Sequence, residues 1–493
     1  MSKEYRPWRP GQSYLLPPSP HDWLPKDHLA YFVMEVVGEL DLTAVESVLQ
    51  AKDGRGTRPY SPRMMTALIL YAYASGVFSS RKIERATHED VAFRVIAADE
   101  HPHFTTINEF RLQHREALAS LFTQVLTMCG RAGLASLGHV ALDGSKVHAN
   151  ASKHKAMSYS RMKDEEKRLM AEVESLLFKA DETDRLEDEQ YGAERRGDQL
   201  PEVFRDRESR LRFIRETKAA LEKEAAEARA TELKEQAERA TTEQARRTAT
   251  TKSQKLAKQS LDLFGGDDKR DDDDDSGGAG ATTASSLPRH RIPTTQDGKP
   301  TEKAQRNFTD PDSRIMVRNG TFLQAFNAQV AVNAHQVIVA NAVTNQPQDP
   351  EHLIPMMERV RENCGATPDV LSADAGYFSE RNVVYCEHNR IDAHIAVARK
   401  QLDDVISGRR ASSSNARRLA MQQKLLEPQG RETYAKRKSI VEPVFGQIKR
   451  ILGFRQFSLR GLAKVPAEWA IVCTTHNLLK LFRRCRSVAL AAV

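Results

Sequence analysis

Cysteine is scarce in this chain. There are five among 493 residues, Cys129, Cys364, Cys386, Cys473 and Cys485, and no two are spaced as a C-x-x-C pair. That excludes a zinc ribbon or finger. An odd number of widely separated thiols fits a reducing cytosol, so a cytoplasmic location is expected. No run of about 18 apolar residues occurs, which excludes a helical membrane span. The first residues, MSKEYRPWRPGQSYLLPPSP, have no apolar core of the kind a signal peptide needs.

What the chain has is charge. Lys plus Arg number 74 against 67 Asp plus Glu, a formal net charge of +7. Acids are concentrated between Asp267 and Asp275, so the remainder is more basic than the mean. A basic surface suits a polyanion such as nucleic acid, and equally a merely solubilising face.

Residues 1–25 are rich in proline and tryptophan and predict an extended arm. Helical periodicity then covers 28–40, 62–76, 79–90 and 104–130, with Gly76 and Gly130 as natural stops. This predicts an all-helical domain over 26–132, with a capped basic helix suited to DNA contact. The stretch 140–152, VALDGSKVHANAS, reads as a short apolar strand with Asp143 at its end. Residues 157–262 are almost all helix formers. Met162, Leu169, Val173 and Leu176 fall on one stripe, and Leu211, Ile214 and Leu221 on another. A two-armed, coiled-coil-like helical hairpin is expected, broken at 191–201. The span 263–300 predicts a disordered acidic, Gly-rich linker. Its five consecutive aspartates lack the rigid scaffold that a metal site requires.

Downstream, 321–332 and 335–344 predict an antiparallel hairpin. A helix at 352–363, a strand ending in Asp374, a helix at 380–389, a strand from Asp392 and helices at 434–453 and 465–484 follow. With 157–262 removed, the order is β-β-β-α-β-α-β-α. That is the order of a ribonuclease H-like fold, a mixed α/β sheet with flanking helices, built from 135–156 and 305–485.

In such a fold Asp143, Asp374 and Glu442 reach one mouth. Three converging carboxylates stay ionised together only with cations between them. Hard oxygen ligands suit Mg²⁺, with Mn²⁺ able to substitute. Two such ions about 3.5–4 Å apart clamp a phosphodiester. Small residues beside the acids, Gly144, Ser145, Ala375 and Gly376, leave room for a backbone to approach. Asn327, Gln329, Asn345 and Asp349 lie on or after the hairpin and are expected chiefly to support the fold. His148 and His154 are expected in a surface loop.

Five stretches carry a family resemblance: LLPPSPHDWLPKDH (15–28), VALDGSKVHANAS (140–152), FNAQVAV (326–332), SADAGYFSE (372–380) and YAKRKSIVEPVFGQIK (434–449). Together they resemble the DDE transposases of bacterial insertion sequences, in the branch with an InsH-type N-terminal domain. The resemblance implies Asp143, Asp374 and Glu442 as the metal-binding catalytic triad. It also implies Tyr434, Arg437 and Lys449 as contacts to DNA near the scissile phosphate. Four residues separate Arg437 from Glu442 where the commoner pattern has three, so Lys438 is a second candidate for the basic position. Seven positions separate Glu442 from Lys449, which in a regular helix puts both on one face. The activity implied is cleavage and strand transfer at terminal inverted repeats, with double-stranded DNA as partner and a homodimer as the active form. A ribonuclease H-like nuclease that does not join strands, and a non-catalytic DNA-binding scaffold, are the alternatives.

Overall fold

The computed structural model describes residues 20–50, 59–152, 155–191, 202–240, 243–262, 287–318, 320–397 and 413–491. It enters through one 3-10 turn, Pro20–Trp23, at the end of the segment expected to be extended. Residues 1–19 of that expected arm lie outside the described residues.

Among the described residues, seven helices precede the first strand: α1 Leu29–Glu39, α2 Thr43–Gln50, α3 Pro62–Ala74, α4 Ser80–Glu89, α5 Val91–Ile96, α6 Phe104–Gln113 and α7 Arg115–Arg131. The continuous helix expected over 104–130 is two helices, because the backbone at His114 (φ −103°, ψ 21°) breaks the ladder between α6 and α7. Gly130 does not end α7; the left-handed residue beyond its end is Gly133. Gly76 has φ +78°, and a Cβ there would lie 2.7 Å from the Leu452 carbonyl oxygen. Only glycine allows that backbone-to-backbone approach.

The sheet comprises β1 His139–His148, β4 Arg314–Arg318, β5 Thr321–Asn333, β6 Ile338–Thr344, β7 Val370–Ala373 and β8 Asp392–Ile395. β5 pairs antiparallel with β1 along one edge, while β4 and β6 share its other edge. β1, β7 and β8 run parallel. The resulting order β6-β5-β1-β7-β8 is a mixed sheet that fits a ribonuclease H-like domain. The helices that follow are α11 Leu353–Cys364, α12 Glu380–His388, α13 Ser413–Leu426, α14 Pro428–Gly446 and α15 Val465–Ala491. α14 packs on β1, β5, β7 and β8, and α15 packs on β6, α7 and α3.

One apolar core runs through the sheet and the N-terminal helices together. α15 joins them: Trp469 is fully buried, Phe482 meets Phe32 of α1 at 5.2 Å, and Arg486 pairs with Asp27 at 2.7 Å. The 26–132 helices therefore share their core with the sheet instead of closing on themselves.

The insertion begins and ends at a two-stranded ladder, β2 Ala156–Ser158 with β3 Gln305–Asn307. Among the described residues between them lie three helices where the sequence predicts two arms: α8 Tyr159–Tyr191, α9 Glu202–Arg239 and α10 Glu243–Asp262. The predicted stripes do form a seam, since Met162, Leu169, Leu211, Ile214 and Leu221 are buried in one small cluster. Leu176 and the expected break at 192–201 fall outside what is described. So does 263–286, the acidic part of the expected linker. The linker's remainder is ordered: Leu287 joins the main core and Thr294 bridges Pro300.

Candidate active site

β1 is longer than expected, and its two neighbours explain where its acid sits. Pairing with β5 continues to His148, so Gly144, Ser145 and Lys146 are strand residues and not a loop. The parallel pairing with β7 stops earlier, at Leu142 opposite Ala373. Asp143 and Asp374 are the next residue on each strand. The two acids thus meet where β7 ends against β1, Asp374 at the carboxyl end of β7 and Asp143 midway along β1.

Each acid is shaped by its surroundings. Burial pushes the Asp143 carboxyl up; Arg437 opposes this and Asp374 adds to it. Burial also pushes Asp374 up, against the hydrogen bond from the Gly376 N–H, 2.9 Å from Asp374 Oδ1. Arg437, on α14, donates to Asp143 Oδ2 at 3.0 Å. This ion pair is well sheltered, with side-chain exposures of 14% for Arg437 and 20% for Asp143. Burial alone would lower the guanidinium's pKa, but Asp143 and Tyr434 outweigh it and hold the charge more firmly. Tyr434 is itself hydrogen-bonded to Arg437.

Strand alternation sends Asp143 and Ser145 to one face and Gly144 and Lys146 to the other. On the first face, Lys449 donates to Ser145 Oγ. Burial, reinforced by Arg318, depresses this ammonium to about 8. On the second face, Lys146 donates to the Pro347 carbonyl at 2.7 Å and lies 3.6 Å from Asp349. Asp349 Oδ1 accepts from Asn327 Nδ2 at 2.7 Å and Gln329 Nε2 at 2.9 Å. Tyr377, fully buried, donates to Gln329 Oε1. Burial would raise the Asp349 carboxyl, but His352, Lys146 and Asn327 together hold it below its ordinary range. A Cβ on Gly144 would lie 2.2 Å from Gln329 Nε2. Glycine is required there by this amide, and not by a ligand alone. The network of Asn327, Gln329 and Asp349 therefore packs against Gly144, next to Asp143 in sequence, and the Asp349 charge is felt at Asp374. Asn345, by contrast, ties down the 288–290 strap and Asp312.

Glu442 is the third of the expected acids. It is exposed on α14, whose buried positions are Ile440, Val441 and Val444. Lys449 is buried, and it lies in a π-type turn over Gln447–Ile451, so the regular 3.6-residue register assumed between the two does not hold. Lys438 is exposed. Of the other basic residues near α14, Arg417 is paired with Glu380 and Glu387, and Arg455 donates to the Lys449 carbonyl. Arg399, Lys400, Arg409 and Arg410 lie outside the described residues. His148 closes β1, and His154 is not described.

Among the described residues, no group of three or more His, Cys, Asp or Glu side chains is arranged to hold a metal ion. The donor set still suits a hard divalent cation, since the neighbouring Asp143 and Asp374 carboxylates both offer hard oxygen ligands.

With this geometry in hand, two family matches decide the kinship. Residues 290–478 match the transposase DDE domain, and residues 18–113 match the transposase domain DUF772. The chain carries the domains of a DDE transposase. Searches of curated proteins and of solved structures give no match. The DDE match spans Asp374 and Glu442 but begins after Asp143; hydrogen bonding of β1 between β5 and β7 restores that strand to the same sheet. A DDE transposase domain implies phosphoryl-transfer nuclease chemistry on DNA, and such enzymes generally use divalent metal ions. No helix among the described residues is long and apolar enough to cross a membrane.

Proposed function

We propose that this transposase binds the terminal inverted repeats of its element, cleaves a strand at each end and joins the freed 3′-hydroxyl to target DNA. The observation that carries the reading is the pair Asp143 and Asp374: Asp374 ends β7 within the matched transposase DDE domain, and Asp143 lies beside it on the neighbouring parallel strand β1. Asp143 and Asp374 would hold Mg²⁺ or Mn²⁺, with Glu442 of α14 as the third acid of the set. Bound there, the metal supplies Lewis-acid stabilisation of charge on the phosphate and its attacking and leaving oxygens. The chain's own residues do the rest. Arg437 neutralises Asp143 in the DNA-free protein, and an incoming phosphate competes for its planar guanidinium. Lys449, depressed to about 8 but still mostly protonated at pH 7, holds Ser145 and is positioned beside the acids to meet a phosphate. Tyr434 keeps Arg437 oriented, and Lys438, exposed on α14, adds a peripheral phosphate contact. The N-terminal helices read the terminal repeat, and pairing two DNA ends requires at least a homodimer.

A supercoiled plasmid carrying two element ends tests this. Wild-type protein with Mg²⁺ cleaves and joins. Asp143→Asn and Asp374→Asn each lose both activities by on the order of a hundredfold or more, while still binding the ends. Equal cleavage by mutant and wild type sinks the proposal. Cleavage without any joined product selects the nuclease alternative, and binding without cleavage by wild type selects the scaffold.

A further inference from the structure

α9 and α10 are neighbours built from the same helix-forming residues, yet they treat charge differently. By sequence α9 carries ten acids and ten bases, interleaved. α10 carries five bases, and its only acids are its terminal residues, Glu243 and Asp262. On the α8–α9 pair the cations are consumed. Arg210 reaches Glu165 at 2.8 Å, and Arg215 and Lys218 share Glu166 at 3.1 and 2.6 Å. On α10, Lys252, Lys255 and Lys258 are exposed and make no ion pair among the described residues.

The packing of α10 fixes which way these lysines point. Leu256 is buried against Ala230 and Leu233 of α9, and Ser253 Oγ donates to the Ala230 carbonyl at 2.7 Å. With 100° per residue, that seam sends Lys255 and Lys258 to the opposite side, with Lys252 on the flank. Leu256 also meets the loop at Gly298, whose neighbour Lys299 is exposed.

We propose that this face of α10 is a sequence-blind docking surface for the sugar-phosphate backbone of duplex DNA. Lys252, Lys255 and Lys258 rise about 9 Å along the helix. A duplex carries one phosphate charge per about 1.7 Å of axis, so several phosphates lie within reach of that row. The side chains are long and unpaired, so they form point-charge contacts without base readout. The inference rests on the transposase reading above and gives the helical insertion a role in gripping DNA away from the acids.

Salt titration of full-length protein on two duplexes of equal length tests it, one bearing the terminal repeat and one unrelated. For wild type, log Kd rises with log salt on both. Lys252→Gln/Lys255→Gln/Lys258→Gln is expected to reduce that slope by about one per lysine on both duplexes alike. Its circular dichroism and melting should match wild type, since all three residues are exposed. An unchanged slope overturns the assignment, as does a loss confined to the terminal repeat. Wild type that binds neither duplex overturns the transposase reading itself, which separates the two failures.

Discussion

The sheet-centred core and the helical insertion are held by different forces. The core buries Trp469 between Phe454 and Phe457, and its few buried charges are enclosed in hydrogen bonds, as where Glu468 accepts from the Ser458 and Leu459 N–H groups at 3.0 Å. The insertion has a seam only one layer deep, flanked by ion pairs along its whole first contact. Apolar burial is insensitive to salt and pH, whereas exposed ion pairs weaken with both. One chain therefore contains a part whose stability is set by volume and another whose stability is set by charge.

Trp469→Ala strikes at volume and should have the largest effect. It removes a fully buried ring and the indole N–H that donates to the Gln329 carbonyl at 3.2 Å. A loss of about 3–5 kcal/mol is expected from urea unfolding followed by circular dichroism. A loss below 1 kcal/mol would mean that the core is not continuous through α15.

Next in size is Lys449, a buried cation without a carboxylate partner. Its folded pKa of about 8 lies below the ordinary 10.5, so the unfolded chain binds the extra proton between those values. Stability should therefore rise as pH increases from 8 towards 10.5, by at most on the order of 3 kcal/mol at about 1.4 kcal/mol per unit. Lys449→Met should lose this rise when the two proteins are unfolded side by side. Parallel curves would show that the ammonium is solvated.

Glu166 gives the smallest and opposite response. Burial would raise its pKa, but Lys218 and Arg215 outweigh burial and lower it. Its contribution is present above the unfolded carboxylate's pKa and vanishes as pH falls through the folded one. Glu166→Gln should cost about 0.2–1 kcal/mol at pH 7 in low salt and nothing at high salt. Protease sensitivity of α8 and α9 is the measure; a cost that persists at high salt would mean that packing, not charge, is at work there.

The strand order was legible because alternating apolar residues and turn signals act locally: the 321–344 hairpin and the strand before Asp374 are where periodicity puts them. The three proposed acids were legible only through the resemblance; local signals alone do not single them out among 67. What escaped depends on partners distant in sequence. β1 runs on to His148 because β5 pairs with it, and nothing in 144–148 says so. α10 is a third helix because Leu256 finds α9. The π-type turn at 447–451, in which Lys449 is buried, is invisible to spacing. The clamp of Asn327, Gln329 and Asp349 was visible as residue types, but its reach to Gly144 follows from register alone.

Gly76 touches the Leu452 carbonyl with no room even for a methyl, one residue beyond the turn that carries Lys449. Backbone pressed on backbone has no rotamer to absorb a push. Any side chain at position 76 would therefore have to move either the end of α3 or the Leu452 backbone itself.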